Sequence, residues 1–180
     1  MASLNMSSRR TYCVAWSLSA CLLFLGGCGQ APEITEYTAP KKDEASRPFT
    51  CDVPKDWKLA PNDRFSDLAF ECATGVKMTV SSLGGTGDEF LLMNVNRWRR
   101  QVSLPPVESL QEMGKAELRN AEGKLVEVAS DDKAVKGAII ERGDKTWFFK
   151  LSGPVAAVAD QSDEFSDFLK SVEFFEINRS

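Results

Sequence analysis

Residues 137–151 read GAIIERGDKTWFFKL. Two apolar runs flank the triplet Arg142-Gly143-Asp144, and runs of this kind on either side of a Gly-Asp turn predict a β-hairpin. The second arm, Thr146 to Leu151, is the most aromatic stretch of the chain. Side chains alternate across a strand, so Trp147 and Phe149 share one face while Phe148 points to the other. Apolar bulk on both faces asks for cover on both faces of the sheet. The chain must therefore supply helices to lie over this hairpin.

Upstream, residues 88–102 read DEFLLMNVNRWRRQV. Leu91, Val95, Trp98 and Val102 recur at helical spacing and make one apolar stripe. Gly84-Gly85-Thr86-Gly87 precedes it as a break, and Asp88 is the expected N-cap. Pro105-Pro106 stops the helix and can start another. A weaker helix is expected over Val107 to Leu118, using Val107, Leu110 and Met113. Short alternating runs come earlier: Phe49, Cys51 and Val53; Leu68, Phe70 and Cys72; then Val76 to Val80. They predict strands in an antiparallel meander, with Pro54 to Trp57 as a turn. Lys124 to Ala129 is a further strand. Gly153-Pro154 opens a last helical region with Phe165, Phe168, Leu169 and Val172 inward. Glu173 to Ile177 is the expected closing edge strand. Strands and helices in this order predict one α+β domain over residues 48–177, an antiparallel sheet flanked by helices.

The chain has 180 residues, 22 Lys+Arg, 26 Asp+Glu and no histidine. The missing imidazole excludes a His-based triad and an H-E-x-x-H zinc site. The net charge of −4 argues against broad nucleic-acid binding, which needs a basic face. Neither a cofactor nor a metal is expected. Residues 1–27 have the parts of an export signal: Arg9-Arg10, an apolar stretch from Tyr12 to Leu25, then Gly26-Gly27 before Cys28. The apolar stretch is too short for a comfortable membrane span. Leu25-Gly26-Gly27-Cys28 resembles a bacterial lipobox, which implies a diacylglycerol thioether on Cys28 and a lipid bilayer as first partner. Arg9-Arg10 leaves Sec or twin-arginine export open, and Gly29 favours the outer over the inner membrane. Residues 28–47 read as the lipidated cysteine and a polar, disordered tether, holding the domain about 25 Å from the bilayer. The expected location is the bacterial envelope, facing the periplasm.

Asn94-Val95-Asn96-Arg97-Trp98-Arg99-Arg100-Gln101, with Pro54 and Trp57 upstream and Trp147 to Pro154 downstream, resembles an uncharacterised family of bacterial lipoproteins with an N-V-N-R-W-R-x-Q motif. The order of elements is also similar to the Mog1/PsbP-like fold, an α/β/α sandwich. That group mostly acts by binding other proteins, so the resemblance implies a non-catalytic accessory module with an envelope protein partner. It carries over no catalytic residue.

Asn94, Asn96, Arg97, Arg100 and Gln101 are the candidate binding residues. Guanidinium and carboxamide groups together can grip a carboxylate, a phosphate or a peptide backbone. The other reading is architectural. Arginines suit a helix C-terminus, and asparagine is a poor helix former that needs a specific bond. The loop at residues 84–87 sits where phosphate loops occur but lacks the Gly-Lys-Ser/Thr continuation. A cleft beside it is what a small-ligand carrier or enzyme would require. Cys51 and Cys72 fall on the apolar phase of adjacent expected strands. They form either a cross-strand disulfide in an oxidising compartment or two thiols packed as small hydrophobes. Asp131-Asp132 and Asp163-Glu164 read as solvated or helix-capping acids.

Overall fold

The computed structural model describes residues 47–61, 64–111 and 113–175. The expected export segment, Cys28, nearly all of the tether and Ile177 lie outside them. The elements are β1 (Phe49–Thr50), β2 (Lys58–Leu59), β3 (Leu68–Ala73), β4 (Val76–Gly84), α1 (Asp88–Gln101), β5 (Gly114–Glu117), β6 (Glu122–Ala129), β7 (Lys133–Arg142), β8 (Lys145–Pro154), α2 (Val155–Asp160), α3 (Ser162–Ser171) and β9 (Glu173–Phe174).

Seven strands form one fully antiparallel sheet in the order β2-β3-β4-β8-β7-β6-β5. The β7–β8 hairpin is its centre. Arg142 pairs with Lys145 around a two-residue turn that has Gly143 first, a glycine position that suits tight hairpins. Phe148 packs with Leu91, Val95 and Trp98 of α1 on one face. Trp147, Phe149 and Leu151 pack on the opposite face with Phe165, Phe168 and Leu169 of α3. The sheet is therefore covered on both sides, as its aromatic arm requires.

Gly137 explains how closely α1 can approach. A Cβ at this position would lie 2.5 Å from the Trp98 ring and 2.9 Å from the Phe149 carbonyl oxygen. The missing side chain makes the seat for the indole, a close-approach use of glycine.

Three expectations about elements change. The helix predicted over Val107 to Leu118 is a loop followed by β5. Residues 114–117 pair with Glu122 to Leu125, and tertiary pairing overrides the helix preference of Lys115-Ala116-Glu117. The strand expected over Phe49 to Val53 shortens to Phe49–Thr50. It pairs with β9 in a separate two-stranded ribbon rather than in the main sheet, and Val53 is exposed. Thus β9 is no edge of the main sheet either. The α1 N-cap is Gly87, with Asp88 already inside the first turn. Gly87 has φ 90° and ψ 162°, a backbone conformation essentially reserved for glycine.

Candidate binding face and adjoining groove

The Asn-Arg segment divides by helical phase. Asn94 is buried, 2 % exposed, and its Nδ2 donates to the Phe90 carbonyl one turn back at 2.9 Å. Asn96 Nδ2 donates to the Val107 carbonyl at 2.9 Å, and Asn96 Oδ1 accepts from the Val107 N–H at 2.8 Å. Arg99 Nε donates to the Pro105 carbonyl at 2.7 Å. Leu104 N–H returns to the Arg99 carbonyl at 2.9 Å. Ser103, at φ 59°, makes the tight reversal between them. These contacts fasten the segment after α1 back onto the helix. Asn94 and Asn96 are framework residues, and the structure does not place them on an accessible binding face.

Arg97, Arg100 and Gln101 stay exposed. Neither arginine makes an ion pair among the described residues. Gln101 Oε1 accepts from Lys150 Nζ at 3.2 Å. Beside Gln101 lies a groove of about 410 Å³. It runs between Gln101-Val102, the β3–β4 turn at Gly75, the β6–β7 turn at Asp132-Lys133 and the end of β8 at Pro154. Lys77 and Lys133 bring positive charge to it and Asp132 brings one negative charge. No local motif marks Lys77 or Lys133. They come from strands far apart in sequence and meet only because β8 lies between their hairpins.

The glycine loop is not an open phosphate cradle. Gly87 N–H donates to the Glu141 carboxylate, so an anion already sits at the start of α1. Thr146 Oγ1 donates to the Gly85 carbonyl at 2.7 Å, and Gly85 N–H to the Asp144 carbonyl at 3.1 Å. A second depression, of about 520 Å³, begins one residue further on. Asp88, Glu89, Glu108 and Lys124 line it, and an acidic lining of this kind repels phosphate. Asp131 and Asp132 lie exposed in a turn, while Asp163 and Glu164 fill the first turn of α3.

Cys51 and Cys72 are both thiols. The disulfide reading required adjacent strands, but Cys51 follows the β1–β9 ribbon and Cys72 belongs to β3. Both side chains pack on the same core, Cys72 fully and Cys51 in part. Burial pushes the Cys72 thiol up to about 12 from an ordinary 9.0, which makes it a poor nucleophile at neutral pH.

No family model matches this chain. No curated protein matches it either. Solved structures do. The chain is similar to the solution structure of cyanobacterial PsbP (CyanoP) from Synechocystis sp. PCC 6803, at 14 % identity over 84 % of this chain and 99 % of that one, with a TM-score of 0.50. It is also similar to the crystal structure of LpqN, involved in cell envelope biogenesis of Mycobacterium tuberculosis, at 13 % identity over 71 % and 83 % of the two chains, with a TM-score of 0.49. A crystal structure from Bacteroides thetaiotaomicron VPI-5482 matches at 9 % identity and a TM-score of 0.49 over 72 % of this chain. This chain spans 46 % of that longer one. The PsbP likeness shows the fold, a Mog1/PsbP-like α+β sandwich, in agreement with the order of elements in the sequence.

Proposed function

We propose that this chain is a non-catalytic binding module of the bacterial envelope, lipid-anchored at Cys28 and facing the periplasm, with the outer membrane favoured. Its contact surface is the C-terminal part of α1, formed by Arg97, Arg100 and Gln101 and continued by the groove with Lys77 and Lys133. The partner is a protein that presents an acidic segment. One observation carries this reading. The asparagines of the motif and Arg99 turn to hold the fold, while Arg97 and Arg100 on the same helix stay in water with no partner of their own among the described residues. Two exposed guanidinium groups on α1, and two lysines against one aspartate in the groove beside Gln101, complement carboxylates on a chain that is otherwise acidic. Glu141 at the glycine loop weighs against an anionic small ligand at the alternative site.

The test is affinity capture of the lipidated protein from solubilised membranes, comparing wild type with Arg97→Ala/Arg100→Ala. Thermal melting of the variant comes first. A partner held by wild type and lost by a variant with an unchanged melt supports the reading. An unchanged partner list removes α1 from recognition.

A further inference from the structure

Four exposed side chains run along the outer line of α1: Glu89, Met93, Arg97 and Arg100. Spacings of four, four and three residues keep them on one face of the helix. Leu91, Val95 and Trp98 occupy the opposite face, in the core. The segment after α1 is fastened to Asn96 and Arg99, on one flank of the helix, and leaves this outer line open. The side chains of Glu89, Arg97 and Arg100 make no ion pair or hydrogen bond among the described residues. Met93, 57 % exposed, is the only exposed large hydrophobic side chain on a helix among them.

The order of these groups matters more than their number. Acid stands at one end, bases at the other and the apolar side chain between them. Met93 is four residues from Glu89 and four from Arg97. A face of this order is complementary to itself after a half-turn about Met93, as a twofold interface requires. Two copies laid antiparallel bring Met93 to Met93 and the Glu89 of each to the Arg97 of the other. Arg100 follows about 4.5 Å further along the axis. In the facing copy, Glu89 shares an acidic depression with Asp88 and Glu108. A parallel pairing would set Glu against Glu and Arg against Arg, and like charges repel. The helix dipole favours acids in the first turn and bases in the last. That covers Glu89 and Arg100, but not Arg97, which precedes the last turn, nor the exposed methionine.

We propose that α1 joins two copies of this chain in an antiparallel twofold dimer, with Met93 on the axis and two Glu89–Arg97 ion pairs beside it. The proposal rests on the reading of α1 as a contact surface and names its partner. The acidic segment that the arginines receive is the start of α1 in a second copy.

The experiment uses the full chain in cell membranes, with Met93→Cys, oxidised by copper-phenanthroline before solubilisation. Two thiols on the axis join as a disulfide-linked dimer, read on a non-reducing gel. Wild type gives the background from the native cysteines. Asp160→Cys, exposed at the end of α2 on the other side of the sheet, is the control. Position 93 is expected to cross-link about tenfold above both. Glu89→Arg and Arg97→Glu, each added to Met93→Cys, should lower the dimer about fivefold. Mixing these two variants, one of them tagged, should restore the cross-link between tagged and untagged copies, because their charges are complementary only when the helices run antiparallel. Restoration also shows that both variants fold. Cross-linking at 93 no greater than background or than at 160 overturns the dimer, and so does a mixture of two folded variants that stays unlinked. Failure of the dimer while a different protein is still captured through Arg97 and Arg100 rejects the dimer alone. No dimer and no captured protein rejects the contact surface with it.

Discussion

Asn96 meets Val107 as a neighbouring strand would, with one carboxamide giving and taking a hydrogen bond on a single residue's backbone. The pair holds the loop after α1 at a fixed distance from the helix. Asn120 does the same for Phe174, donating to its carbonyl at 2.7 Å and accepting from its N–H at 3.0 Å. In both places a side chain replaces a ladder that the chain is too short or too irregular to build.

Asn96→Ala should therefore destabilise the domain by about 1–3 kcal/mol, because two half-buried backbone groups lose their partners. Denaturant unfolding measures this. Arg97→Ala should stay within about 0.5 kcal/mol of wild type, since its side chain is exposed and makes no ion pair among the described residues. An Arg97 variant that falls as far as the Asn96 variant would move Arg97 into the framework.

Gly137→Ala should cost about 1–3 kcal/mol, through overpacking against Trp98 and the Phe149 carbonyl. Combining it with Trp98→Leu should recover part of the loss, because the smaller side chain vacates the space a Cβ needs. Additive losses in the double variant would mean that the two positions do not share that space.

Phe49→Ala should cost about 3–5 kcal/mol. Phe49 is buried, and its ring meets Trp147, Phe149 and Phe174 at 5.5–5.6 Å. The loss should far exceed what a two-residue strand suggests. A cost under about 1 kcal/mol, read from denaturant midpoints, would show the ribbon to be an appendage.

Cys72 gives a pH dependence of definite sign. Its folded thiol holds its proton up to about 12, while the unfolded thiol releases it near the ordinary value. The folded state thus binds more protons between those limits. The contribution is complete below pH 9 and is lost as pH rises toward 12. The difference in stability between wild type and Cys72→Ala should shrink over that window. At neutral pH, iodoacetamide should label Cys72 only on unfolding, and label the half-buried Cys51 sooner.

The hairpin at residues 137–151, the α1 stripe and the α3 stripe were legible because their apolar spacing matches the element that forms. Residues 107–118 were not. Val107, Leu110 and Met113 have helical spacing, yet Leu110 and Met113 pack as a loop beside the α1 core and Ala116 and Leu118 turn to the opposite core. Only the pairing with β6 decides that outcome, and no local pattern encodes it. At the site, Asn94 and Asn96 announced a specific bond through their poor helix preference, and that bond is internal. Lys77 and Lys133 gave no sign because strand order alone brings them together.

The β1–β9 ribbon also has a mechanical meaning. Pro48 and Phe175 are bonded side by side, so the chain comes in and goes out at one corner. A pull applied from the N-terminal side loads Phe49↔Phe174 and then Thr50↔Glu173, one rung at a time, before any rung of the seven-stranded sheet. Rungs peeled in sequence yield at lower force than rungs sheared together. The ribbon is thus first in line under such a pull, and Phe49 must leave its aromatic neighbours Trp147 and Phe149 before any rung of the sheet is loaded.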